Sequence, residues 1–162
     1  MEKVQVKNEI KIPAIIALAV QGVIVCMELL VTALQDKFFP IFIGNPGITD
    51  GAKVFPPAII FSVLELGIYT AFVSVIFYYT GDRRRPVSIA LMAVNLALTG
   101  LSYPVNIIYT QLIARVKGAA YIAAYSGVSS MLGFSVAFFG FVAAPMFFIA
   151  CGRYGISKKT DQ

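Results

Sequence analysis

Residues 57–79 read PAIIFSVLELGIYTAFVSVIFYY, and the reading of this stretch decides the fold. It carries one charged residue, Glu65. It exceeds the roughly 20 residues needed to cross about 30 Å of hydrocarbon at about 1.5 Å per residue. It opens on Pro57, which suits a first helical turn, where an N–H has no partner to lose. A membrane-spanning helix is expected here.

Three more stretches have the same character. They run over about 13–34, 86–109 and 121–151. The first and third also open at a proline, Pro13 and Pro86. The fourth lies within Ala119–Cys151 and is longer than one crossing, so it is expected to tilt or to protrude. The composition agrees. Of 162 residues, 59% are apolar and only 13% charged, against roughly a quarter charged in soluble domains. This excludes a soluble globular enzyme, a disordered chain and a coiled coil. The expected fold is all-α, a single transmembrane domain over 1–162 formed as an up-down antiparallel bundle of four helices. The first stretch is expected to remain as a span. Its apolar run is longer than a signal peptide's h-region of roughly 7–15 residues, and Glu28 would sit inside that region.

Lys and Arg set the orientation. Lys3, Lys7, Lys11, Arg83, Arg84, Arg85, Arg153, Lys158 and Lys159 fall on one side, against Lys37, Lys53, Arg115 and Lys117 on the other. Both termini are therefore expected in the cytoplasm, with the plasma membrane as the location. Arg83, Arg84 and Arg85 are also expected to attract anionic lipid headgroups, at about 1 kcal/mol per charge. The outer loop, 35–56, contains Phe38-Phe39-Pro40-Ile41-Phe42-Ile43. That run is too short to cross, and is expected to lie on the interface as a connector or to dip in as a lid.

Helices crossing at about +20° repeat their contacts every 3.5 residues. Polar and small residues follow that spacing on every span. Span one gives Ala14, Leu18, Gln21, Val25, Glu28 and Thr32. Span two gives Ala58, Ser62, Glu65, Tyr69, Phe72 and Ile76. Span three gives Ser88, Met92, Asn95, Thr99, Ser102, Asn106 and Tyr109. Span four gives Ala119, Ala123, Ser126, Ser130, Gly133, Ala137, Gly140 and Ala144. These faces are expected to point inward, because polar groups facing lipid go unpaired and small residues let backbones approach. Ser126, Gly133, Ala137, Gly140 and Ala144 form the expected helix-packing seam, against the bundle or against a second copy.

Glu28 and Glu65 carry the chemistry. Counted from the span ends, both lie roughly 10 Å below the outer boundary, at about 1.5 Å per residue. Ser102 and Ser130 are expected at a similar depth, with Gln21, Ser62, Tyr69, Asn95, Thr99 and Asn106 a turn or two away. No Lys or Arg lies within any span, so a buried salt bridge cannot explain two acids that cost roughly 2.5–3.5 kcal/mol each on insertion scales. At least one should be protonated, or the pair should share a proton or bind a cation. The alternative is that each is neutral and hydrogen-bonds across helices.

Absences narrow the function further. The chain has no histidine, hence no imidazole base, His-ligated zinc or His-ligated haem. Cys26 and Cys151 lie in the first and last spans with no CxxC, so paired-thiol chemistry is not indicated. No cofactor, metal-ligand cluster or catalytic residue is implied, and the basic residues serve topology, not nucleic acid. In architecture, four spans with an intramembrane glutamate are similar to the small multidrug-resistance exporters. That resemblance implies exchange of protons for a small solute, in a homo-oligomer. The other readings are a non-catalytic tetraspan that assembles with or regulates a partner membrane protein, and a membrane enzyme acting on lipid or isoprenoid through its two carboxylates.

Overall fold

The structure is a computed structural model that describes residues 8–34, 37, 55–78, 84–117 and 119–156. It contains four long helices: α1 (Asn8–Ala33), α2 (Ala58–Tyr78), α3 (Arg84–Lys117) and α4 (Ala119–Ile156). No strand occurs among the described residues. Each helix is long and apolar enough to cross a membrane.

Prolines shape the helix ends, though not always at the expected turn. Pro57 precedes α2, and the first turn is closed by Ile59 N–H donating to the Pro56 carbonyl at 3.3 Å and Ile60 N–H to the Pro57 carbonyl at 3.0 Å. Pro13, in contrast, lies inside α1, because the helix begins at Asn8. Pro13 has no N–H to give the carbonyl four residues earlier. That carbonyl belongs to Glu9, and it accepts from the Arg153 guanidinium of α4 at 3.2 Å. The last turns of the chain thus repair a defect that proline makes in its first helix.

At about 1.5 Å per residue, the 21 residues of α2 reach about 31 Å, one crossing. The third and fourth helices are longer than expected, with 34 and 38 residues. The third does not stop at Tyr109; it continues to Lys117. Arg115 and Lys117 close its last turn, where cations suit the negative end of the helix dipole.

The helices touch in ring order: α1 on α2, α2 on α3, α3 on α4, and α4 on α1 in the most extensive contact of all. An apolar core fills the half of the bundle around Arg153 and Glu9. Ala14 and Ala17 of α1 meet Tyr69, Phe72 and Ile76 of α2 and Phe147, Ala150 and Tyr154 of α4. Tyr69 stacks on Phe147 with centroids 4.3 Å apart, and Phe72 meets the same ring edge-on. A smaller cluster of Val31, Ile59, Val128 and Leu132 closes the opposite half. The polar site lies between the two clusters.

The third helix puts no fully buried apolar side chain into this core; Leu91, Met92 and Leu98 pack against it half-buried. Among its described residues only Ser88 and Asn95 are buried. Its fully buried side chains are polar, and other apolar ones, Leu96, Leu101 and Ile108 among them, are exposed, as suits a helix facing lipid.

Candidate functional site

The two glutamates come from adjacent helices, and each has its own donors. Glu28 of α1 is fully buried. Its Oε1 accepts from the Ser62 hydroxyl of α2 at 3.0 Å. Glu65 lies one turn along α2 from Ser62 and is half-buried. Its Oε1 accepts from the Thr99 hydroxyl of α3 at 2.7 Å, and its Oε2 from the Gln21 amide of α1 at 3.5 Å. Gln21 also donates to the Ser62 carbonyl at 3.1 Å. Five side chains from three helices therefore form one connected network: Gln21, Glu28, Ser62, Glu65 and Thr99.

Heptad spacing explains the convergence. Gln21 and Glu28 are seven residues apart on α1, and Ser62 and Glu65 three apart on α2. Each pair shares one face. Facing one another, the two helices present two acids, a hydroxyl and an amide within two helical turns.

The supply of donors is unequal. Both oxygens of Glu65 are engaged. Glu28 Oε2 is buried with no hydrogen-bond partner, and so are Thr32 Oγ1, one turn further along α1, and Asn95 Oδ1. Buried polar atoms in folded proteins are almost always paired, so these three acceptors are exceptional. Asn95 flanks the network through Tyr69, whose hydroxyl interacts with the Asn95 side chain. Thr99 ties the same region together, since its hydroxyl also lies 3.0 Å from the Asn95 carbonyl.

Other residues expected at the site lie elsewhere. Ser130 is exposed and donates to the Ser126 carbonyl of its own helix at 2.8 Å. Ser102 is half-buried and donates to the Thr99 carbonyl at 2.8 Å. Asn106 belongs to the α3–α4 contact, where its Oδ1 accepts from the Tyr125 hydroxyl. Tyr109 packs on Tyr125 and donates to the Phe55 carbonyl at 3.1 Å.

The small-residue seam of α4 is also turned away from the bundle. Ser126, Gly133 and Ala137 are exposed, and Gly140 and Ala144 half-buried. A Cβ added at Gly133 or Gly140 would meet nothing within 4 Å. The buried seam is instead Tyr121, Tyr125, Val128, Leu132, Ser135, Ala143, Phe147, Ala150 and Tyr154. Val128 follows Ser126 by two residues, about 200° around the helix. Within the chain the large residues fill the space beside α1 and α3, and the small ones face outward. Ser135 is a buried polar residue that small-residue spacing does not find, but its step of three from Leu132 and seven from Val128 does.

Of the basic turn, Arg85 is exposed at the start of α3. Arg84 opens that helix, and Arg83 lies outside the described residues. Residues 38–54, with the expected lid, lie outside them too. Among the described residues no three of His, Cys, Asp and Glu are grouped to hold a metal, and Cys26 and Cys151 are not bonded to each other. No family model, curated protein or solved structure matches the chain.

Proposed function

We propose that this small polytopic membrane protein takes up a proton or a cation at Glu28 and Glu65 and links that event to binding or transport of a small solute. The observation that carries the reading is the buried, unpartnered Oε2 of Glu28. A carboxyl kept only to join helices would have both oxygens engaged, because half-satisfied networks in a low dielectric are costly. Glu65 complements it. It is half-buried, and its partner Thr99 is exposed, so this end of the network is open to the surroundings.

In this reading Glu28 and Glu65 exchange the charge. Gln21, Ser62 and Thr99 position them, and Tyr69 and Asn95 flank them. The helices alternate up and down across the plasma membrane with both termini in the cytoplasm. The excess of Lys and Arg on the terminal side supports that orientation, as does the bond from Arg153 to the Glu9 carbonyl, which joins the two ends of the chain.

Four helices enclose little volume, so the solute site is completed by a second copy. The outward stripe Ser126, Gly133 and Ala137 supports that assembly, since such stripes let transmembrane backbones approach. The same stripe also favours a second reading, a tetraspan that docks on another membrane protein.

The test is a panel of small amines and neutral polar solutes, screened for binding to the purified protein at about pH 5 and pH 8. The pH values bracket the range in which perturbed buried acids titrate. At least one member should bind in a pH-dependent way, and Glu28→Gln/Glu65→Gln should lose that dependence. The reading fails if the double variant binds the same members with wild-type pH dependence.

A further inference from the structure

We infer that Glu28 and Thr32, with Ser62, form a site for a small hard monovalent cation, sodium in particular. The inference rests on the proposed role of the carboxylate pair and divides it: Glu28 holds the resident ion, and Glu65 is the accessible partner.

The argument begins with two atoms. Glu28 Oε2 and Thr32 Oγ1 are both buried, and neither has a hydrogen-bond partner. They stand one turn apart on the same face of α1, a spacing that puts Cβ atoms about 5–6 Å apart. The Ser62 hydroxyl sits on the other oxygen of the same carboxylate, at 3.0 Å. Two unpaired buried oxygens thus stand along one helix face, and a hydroxyl of the neighbouring helix meets the same carboxylate.

A proton does not satisfy this arrangement. A protonated Oε2 becomes a donor that needs an acceptor, and no hydrogen bond joins it to Thr32 Oγ1. Both atoms would stay unpaired. One cation between them satisfies both. Carboxylate and hydroxyl oxygens suit hard ions, not soft ones. A single carboxylate balances a single positive charge. A divalent ion would leave a net charge at a carboxylate that is fully buried, which is strongly unfavourable.

Glu65 is not the ion's ligand in this scheme. Both its oxygens already accept, from Thr99 and Gln21.

The test is thermal unfolding of the purified full chain in a neutral detergent at pH 8, titrated with sodium chloride against choline chloride at constant ionic strength. Sodium should raise the midpoint saturably and choline should not. Thr32→Val should raise the half-saturating sodium concentration about tenfold, the equivalent of 1.4 kcal/mol. Thr32→Ser, which keeps the oxygen, should restore it. Glu28→Gln should abolish the sodium effect, and Glu65→Gln should keep it. If Glu28→Gln does not fold, the Val and Ser pair at Thr32 still decides. The inference is overturned if wild type responds equally to both salts, with Thr32→Val equally destabilised in each, since water alone then fills the gap. It is also overturned if Glu65→Gln abolishes the effect. No solute enters this assay. A sodium effect without pH-dependent solute binding removes the proposed function and leaves the ion site, and the reverse result does the opposite.

Discussion

The Ser62 hydroxyl donates to one oxygen of Glu28 at 3.0 Å, and the other oxygen of that carboxylate has no hydrogen-bond partner. Ser62 is thus the one side-chain donor Glu28 has among the described residues. Ser62→Ala should leave the buried acid without any, at a cost of about 1–3 kcal/mol. Ser74→Ala is the control. Ser74 is exposed and bonds only the Thr70 carbonyl of its own helix, so its loss should be nearly neutral. Thermal unfolding of the two variants in one detergent gives the comparison.

The Pro13 defect makes a sharper test of the packing. Arg153 donates to the Glu9 carbonyl that Pro13 leaves free. Arg153→Leu should therefore destabilise by about 0.5–1.5 kcal/mol. Pro13→Ala restores the N–H that bonds Glu9 within α1. In that background Arg153→Leu should cost clearly less. A double-mutant cycle reads the coupling, and additive effects would show that the bond contributes nothing.

The outward stripe of α4 separates fold from assembly. At Gly133 and Gly140 an added Cβ meets nothing within 4 Å. Gly133→Leu and Gly140→Leu should leave the unfolding midpoint of the isolated chain nearly unchanged. If a second copy packs there, overpacking should cost the dimer about 1–3 kcal/mol. Size analysis in mild detergent, beside the unfolding curve, distinguishes the two effects.

The third helix fully buries no apolar side chain among its described residues; beside half-buried contacts such as Leu91 and Leu98, hydrogen bonds tie it to its neighbours. Thr99→Val and Tyr125→Phe each remove one of its attachments. Each should cost about 0.6–1.7 kcal/mol, the usual range across transmembrane helices. Their costs should add, because Thr99 and Asn106 stand two turns apart and share no partner. Unfolding of the singles and the double measures this.

The four helices were legible because long apolar runs have few other fates. So was the pairing of the two acids' faces. Gln21 and Glu28 share one side of a helix whatever it packs on, and the same holds for Ser62 and Glu65. What spacing could not supply was the choice between two seams. On α4 a small-residue stripe and an aromatic one run on opposite faces with the same period. Small residues suit a close helix contact, but here the volume beside α1 and α3 demands Phe147, Leu132 and Tyr125. Ser130 went outward with the small stripe. Partner assignment was equally hidden. Ser62 and Tyr69 flank Glu65 in sequence, yet Ser62 serves Glu28, and Glu65 takes Thr99 and Gln21 from other helices. Such choices depend on the axial offset between helices, which a single helix's period does not encode.

The central claim is that the carboxylate pair changes its charge state, and infrared difference spectroscopy measures that directly. Spectra are taken between about pH 5 and pH 8, above the range near 4 where ordinary carboxylates titrate. Wild type should show a protonated-carboxyl band exchanging for a carboxylate band. The change should shrink in Glu28→Gln and in Glu65→Gln, and vanish in the double variant. Identical difference spectra for wild type and the double variant would contradict the account, leaving the two glutamates as fixed interhelical bonds.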